Sequence, residues 1–298
     1  MTARTPKVPY RLLRHQGAML RMGAQMLMHA ARGNKRHGAI PSASAIAPVT
    51  RTIEAPPEDL VEHYIGWAGA AGRYDQELPP HMVSQWSLPL VAELLLQLPF
   101  RLAGVINQGA ALRIHGALPR GTPLIVSAAL ERIEETAGRV RVVVVIITGT
   151  ARHAKLVEAR LHMSFLQPGP RPARLPRTRP PEPPWRTAGL WHADADDGMR
   201  FALLTGDFNP IHWCAPLARR SIFGGMVLHG FGSMVRSYEA LEPGSFHELD
   251  VRFLRPVPLP CSMLSVQVAP AESADADGWR ALRLAGAGDA VHLAGRMR

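Results

Sequence analysis

A proline-rich stretch cuts the chain in two. Between Gln167 and Trp185 stand Pro168, Pro170, Pro172, Pro176, Pro180, Pro181, Pro183 and Pro184, with arginines among them. Proline fixes φ and has no backbone N–H, so such a run enters neither a helix interior nor a central strand. It is an extended, semi-rigid linker. Folded structure must therefore lie on either side of it. Before it, a helix is predicted over 58–70, a break at Leu78-Pro79-Pro80, and an apolar helix over 88–98 with Pro89 near its start. Strands are predicted over 107–115, 123–133, 139–148 and 156–165. After it, 199–204 leads into a turn, and a helix over 226–241 is closed by Pro243-Gly244. Strands follow over 248–254, 263–268, 279–284 and 290–297. The expected division is an extension over 1–50, a module over 51–166, the linker over 167–185 and a second module over 186–298.

The two modules share one order, an apolar helix and then four strands. An ungapped shift of about 139 residues lays Leu112-Arg113-Ile114 on Val251-Arg252-Phe253, and Leu118-Pro119 on Val257-Pro258. A long helix followed by antiparallel strands that must cover it makes an α+β layer. The run 140–147 is β-branched and mostly apolar, which suits a central, well-covered strand.

Residues 1–50 are basic and rich in methionine, and Glu54 is the first acid of the chain. Residues 11–31 can form a helix carrying Leu12, Leu13, Leu20, Met26, Leu27 and Met28, punctuated by Gly17 and Gly23. Three readings stay open: a helix packed on the body, an arm that is flexible or lies on a membrane surface, or a targeting segment. No signal peptide is expected, because no uninterrupted apolar core precedes a cleavage-like site.

With 298 residues and 47% hydrophobic content, the chain can bury a sizeable core. No apolar run reaches the length of a membrane span. Cys214 and Cys261 cannot build a disulfide framework and read as reduced thiols in a cytoplasmic protein. The net charge is +10, and arginine carries it, since the lysines are only Lys7, Lys35 and Lys155. No basic stretch is interleaved with stacking aromatics, so no nucleic-acid partner is expected. Anionic partners remain open. The 13 histidines are scattered, with no His-x-x-x-His pair or Cys/His cluster at ligand spacing, so no metal site is expected.

The chemistry-bearing residues lie in two neighbouring segments. In Thr205-Gly206-Asp207-Phe208-Asn209-Pro210-Ile211-His212, an acid and a histidine stand five apart across Asn-Pro. Pro210 biases Asn209 away from the helical region, so Asp207 and His212 flank a fixed turn. Downstream, Leu228-His229-Gly230 opens the helix-like stretch. Backbone N–H groups exposed at a helix start can hold developing negative charge.

These residues, with Phe201 ahead of them, resemble the signature of the MaoC-like dehydratases and type-2 (R-specific) enoyl-CoA hydratases. The motif covers about 200–235, and a looser resemblance to two-module members extends over most of 55–298. The resemblance implies a double hotdog, in which each of two modules wraps an antiparallel sheet around a central helix. The modules then form a pseudo-dimer within the chain, and a homodimer of chains is possible. It also implies reversible hydration of a trans-2-enoyl thioester to a (3R)-3-hydroxyacyl thioester in fatty-acid metabolism. The substrate is carried on coenzyme A or an acyl carrier protein, and no metal or redox cofactor is needed. Such a reaction needs a base for water, an acid for the α-carbon and an oxyanion site for the thioester oxygen. The resemblance makes Asp207 and His212 the acid/base pair. Asn209 orients one of them or the water, the Gly230 N–H is the oxyanion donor, and His229 shapes the turn. Ser233 lines the pocket or bonds its own helix backbone.

The first module departs from the signature. Tyr64-Ile65-Gly66-Trp67-Ala68-Gly69 has no Asp-x-Asn-Pro-x-His behind it, and Trp86-Ser87-Leu88-Pro89 replaces Leu-His-Gly. It is expected to be non-catalytic and to accommodate the acyl chain, with Leu94, Leu95 and Leu98 as tunnel or core residues. Two other functions are a module that binds acyl-CoA or acyl carrier without turnover, and a subunit of a hetero-oligomeric dehydratase. Intact Asp207, Asn209 and His212 favour the enzyme.

Overall fold

The computed structural model describes residues 7–31, 40–100, 104–136, 138–167 and 182–298. Most of the expected linker, residues 168–181, lies outside them. The chain begins with a 3-10 turn, Tyr10–Gln16, that runs into α1 (Gly17–Ala31). The first half then comprises β1 (Val49–Ile53), α2 (Glu58–Ala68), β2 (Glu77–Leu78), α3 (Val83–Leu95), β3 (Val105–Ile114), β4 (Leu118–Pro119), β5 (Leu124–Thr136), β6 (Arg139–Gly149) and β7 (Val157–Leu166). The second half comprises β8 (Arg186–Ala193), α4 (Asp197–Thr205), α5 (Ala215–Arg219), α6 (Gly230–Ala240), β9 (Glu248–Phe253), β10 (Cys261–Val268), β11 (Arg280–Ala285) and β12 (Val291–Met297).

Ten strands form one antiparallel sheet in the order β1-β5-β6-β7-β3-β9-β12-β11-β10-β8. Read outward from the β3–β9 junction, the two halves have the same topology. The register at that junction closes on itself. Ala111 pairs with Asp250, Leu112 with Leu249, and Ala110 with Val251. Residues 139 apart (250 minus 111, 249 minus 110, 251 minus 112) thus exchange partners across the junction, which is the pairing a two-fold axis requires. The weak internal repeat of the sequence is the pseudosymmetry of the sheet.

Within the large sheet each half has one strand more than the sequence suggested, and the first half adds the short pair β2 and β4. β1 and β8 are the two edges of the sheet and are mostly exposed along their length. An edge strand that buries so little shows no clear apolar alternation, so both escaped the period-2 pattern. β1 also starts at Val49, just ahead of the expected module boundary. The other eight strands of the large sheet fall within three residues of their predicted bounds.

The helices shift more. α3 starts at Val83, five residues earlier than predicted, so Pro89 lies inside it. A proline there costs about 3 kcal/mol. The buried stripe Val83, Trp86, Leu90, Val91 and Leu94 outweighs that cost. α6 starts only at Gly230, four residues later than predicted. The residues before it are committed to strand-like pairing: the Leu228 N–H donates to Val257 O (2.8 Å) and the Leu259 N–H to Met226 O (3.0 Å). From Phe231 to Glu239 every residue of α6 is buried, as befits a helix inside its sheet.

Helices from one half pack against those of the other: α2 against α6, and α4 against α3. Two buried polar networks sit at these crossings. Asp197 of α4 accepts from Trp67 Nε1 of α2 (3.0 Å) and pairs with Arg236 of α6 (2.8 Å). The Arg236 guanidinium also lies 4.1 Å over the Trp67 ring. Glu239 of α6 meets His81 Nε2 (2.6 Å), the Tyr74 hydroxyl (2.7 Å) and Arg73 Nη1 (2.7 Å). Burial opposes the Glu239 charge, but these three donors hold its carboxyl below the usual carboxylate range.

The N-terminal extension packs on this body over its described part. Leu12 is fully buried and Gln16 and Met22 nearly so, whereas Tyr10, Leu13, Leu20 and Met28 face outward. Among the described residues, no helix is long and apolar enough to cross a membrane.

Candidate active site

α4 ends in a left-handed residue, Gly206 (φ 81°), whose N–H bonds Ala202 O at 2.7 Å. Glycine adopts this conformation without strain and stops the helix. The turn that follows is pinned by its own side chains. Asp207 Oδ1 accepts from the Asn209 N–H (3.3 Å), and Asn209 Oδ1 accepts from the Ile211 N–H (3.3 Å), capping the 3-10 turn Pro210–His212. This turn sends His212 inward, 9% exposed, and leaves the Asp207 side chain 39% exposed.

The start of α6 meets this turn. The Nδ1–H of His212 donates to Val227 O (2.7 Å). The Nε2–H of His229 donates to Asp207 O (3.0 Å), with the Asp207 carboxylate oxygen at 3.9 Å. The two imidazoles stack with centroids 3.6 Å apart and planes inclined by 26°. The Phe201 ring also lies against His229, tilted, with centroids 5.0 Å apart. His212 therefore keeps Nε2 as an acceptor, while His229 spends Nε2–H on the Asp207 backbone. Among the described residues His229 Nδ1 has no partner.

Burial lowers the His212 pKa, against the opposing pull of Asp207 and the Val227 carbonyl. Burial lowers His229 further, with the neighbouring His212 adding to it. Both imidazoles are thus neutral at pH 7. The consequence for stability has a definite sign. Above about pH 6.5, the ordinary histidine value, folded and unfolded chains bind equal numbers of protons at these sites. Below it the unfolded chain takes up protons that the folded one refuses. The melting temperature is therefore expected to fall as pH drops from 7 to 5, and a His229→Gln variant should show a shallower fall over the same range. Parallel melting curves of the two proteins against pH check this.

Of the residues predicted for the site, Asp207, His212 and His229 come together, with one polar atom from each within 4.8 Å of the others. Such a trio has the donor types to hold a cation, with His229 Nε2 already donating to the Asp207 carbonyl. Asn209 lies on the exposed corner as the cap of the turn. Gly230 is the first residue of α6, and its N–H has no partner among the described residues. A Cβ there would stand 2.6 Å from the Phe253 ring. Ser233 turns its hydroxyl to the His229 carbonyl (3.5 Å), the backbone-bonding alternative.

Sequence reasoning missed Gly198, where a Cβ would lie 1.8 Å from the His212 carbonyl oxygen. Only glycine lets the start of α4 lie against the turn that carries His212. Nothing local marks that contact. Two surface cavities lie elsewhere. One, of about 570 Å³ on the outer face where β3 meets β9, is lined by paired charges such as Arg160–Glu158 and Arg113–Glu248. The other, of about 490 Å³, is lined by Tyr74 and Tyr238 among others. Neither contains Asp207 or His212.

Solved structures share this architecture. HtdX of Mycobacterium tuberculosis superposes with a TM-score of 0.68 at 21% identity, over 85% of this chain and 99% of that one. A MaoC-like dehydratase from Phytophthora capsici gives 0.67 at 15% identity, over 84% and 94%. A further M. tuberculosis protein, described as having a double hotdog fold, gives 0.52 at 15% identity, over 86% and 97%. The chain is a double hotdog. Residues 172–274, which include the whole Asp207–His229 cluster, match the family model described as MaoC like domain. The second half of the chain thus carries a MaoC-like dehydratase domain. No curated protein matches the sequence.

Proposed function

We propose that the protein catalyses the reversible hydration of trans-2-enoyl thioesters to (3R)-3-hydroxyacyl thioesters carried on coenzyme A or an acyl carrier protein. The observation that carries this reading is the junction of Asp207, a neutral His212 with a free Nε2, and the N-terminus of α6 at Gly230. Asp207 and His212 share one water. One of the pair takes a proton as the water oxygen bonds to the β-carbon, and the other delivers a proton to the α-carbon. The Gly230 N–H holds the negative charge that develops on the thioester oxygen. His229 holds the backbone of Asp207 in place, and Asn209 fixes the corner between the pair. No metal or redox group has a step to perform. The first half, without the acid/base pair, supports the site and houses the acyl chain. Hydration of crotonyl-CoA and longer enoyl-CoAs by the purified protein, followed by loss of enoyl absorbance, tests the reading. No turnover with any chain length on either carrier overturns it.

Gly230 offers a more pointed test, because two reasons for glycine coincide there. Close packing on Phe253 predicts that Gly230→Ala lowers the melting temperature and that adding Phe253→Leu restores it. The oxyanion role predicts that turnover stays low in the stable double variant, since the methyl remains beside the donor. One lost oxyanion donor is worth about 3–4 kcal/mol, and partial displacement should cost less. Recovery of turnover together with stability leaves Gly230 as a packing residue.

A further inference from the structure

We propose that Gln16, in the N-terminal extension, is a positioning residue for the Asp207–His212 turn. As a role in catalysis the inference rests on the hydration reading above. As a brace on the turn it stands on geometry alone.

The last carbonyls of a helix have no partner within it. At the end of α4 two consecutive ones find donors beyond the helix: Ala202 O accepts from the Gly206 N–H (2.7 Å) and Leu203 O from Gln16 Nε2 (2.7 Å). The second donor comes from 187 residues away. Gln16 is buried, and the contact is close on a second side. A Cβ placed on Gly206 would lie 2.7 Å from the Met19 side chain and 2.9 Å from Gln16 Oε1. The extension therefore sits directly on the residue before Asp207.

The extension is itself anchored. Leu12 is fully buried one turn before Gln16, and the Arg14 guanidinium pairs with Asp59 of α2 at 2.8 Å. One short segment thus ties α2 of the first half to the end of α4 in the second. From Gly206 onward the turn is held by Asp207, Asn209 and His229 at 3.0–3.3 Å. Gln16 fixes the point from which that turn departs. Displacing a reacting group by about 1 Å can cost 100-fold in rate, so a brace at the departure point acts on turnover more than on substrate binding.

The experiment compares Gln16→Leu, similar in size but without the amide, with Met22→Ala. Met22 is a buried residue of the same extension, and its loss should cost stability alone. In Gln16→Leu, kcat for enoyl-CoA hydration is expected to fall about tenfold with KM unchanged. Amide hydrogen exchange over 206–212 should quicken. Met22→Ala should lower the melting temperature and leave kcat of the folded protein intact. Should Gln16→Leu fold poorly, Gln16→Met poses the same question with a more adaptable side chain. Full kcat in the Gln16 variants overturns the proposal. So does a loss of kcat that Met22→Ala shares in proportion to its instability. If the wild-type chain hydrates no enoyl thioester, the hydration reading fails by itself. Exchange over 206–212 then decides the brace: unchanged rates in Gln16→Leu reject it, and faster rates support it.

Discussion

Asp207→Asn and His212→Ala are each expected to cut turnover by roughly 100- to 10,000-fold, the range for losing one positioned acid/base group. The two substitutions remove different things. Asparagine keeps an oxygen at Oδ1 for the Asn209 N–H and loses the carboxyl group's ability to exchange a proton. The turn should therefore survive Asp207→Asn, and the loss should appear in kcat. Alanine at 212 removes the Nε2 acceptor, the bond to Val227 O and the stack on His229. Some loss of stability should accompany its loss of turnover, so the comparison is made well below the melting temperature, with circular dichroism as a control. A pair that shares one water acts as a unit, so the double variant should be little slower than the slower single one. Full activity in either single variant removes that residue from the mechanism. Additive losses in the double variant dissolve the shared-water arrangement.

Asp197→Ala is expected to destabilise the fold by about 3–5 kcal/mol, because it leaves a buried guanidinium without its counter-charge. Asp197 is fully buried and Arg236 nearly so. Burial already lowers the Arg236 pKa, and Asp197 is the main opposing influence. Trp67 Nε1 and the Asp194 N–H also lose their acceptor. Because Trp67, Asp197 and Arg236 come from α2, α4 and α6, the loss falls where the two halves cross. Urea or thermal unfolding measures it. Asp197→Leu combined with Arg236→Met should recover much of the stability, since an apolar pair of similar volume often replaces a buried ion pair without penalty. A small effect of Asp197→Ala means that water reaches Arg236 and the network is not sealed.

Much of this protein was legible in the order of its residues, and the legible parts share a cause. The covered strands announce themselves because each buries alternate or continuous apolar side chains. The β-branched run of β6 sits between β5 and β7 as a central strand should. The Asp207–His212 turn was readable because Asn-Pro chemistry acts over a few bonds. The internal repeat survived as a shift of 139 that the β3–β9 register reproduces. β1 and β8 were missed because edge strands bury too little to leave a pattern. The start of α3 was missed because burial outweighed a proline, and that of α6 because Met226–Leu228 pair with the distant segment Val257–Leu259.

At the site, sequence alone determined which groups could exchange protons and that a fixed turn spaces Asp207 from His212. Tertiary structure alone decided the rest. Stacking on His229 and a bond to Val227 set the His212 tautomer, and burial sets its charge. Gly198 is fixed by the backbone of a residue fourteen positions on (212 minus 198), and Gln16 by a carbonyl 187 positions away. Local sequence encodes what a residue's own neighbours permit. Desolvation, close approach and hydrogen bonds across the fold depend on which distant segments arrive beside it, and no short motif carries that information.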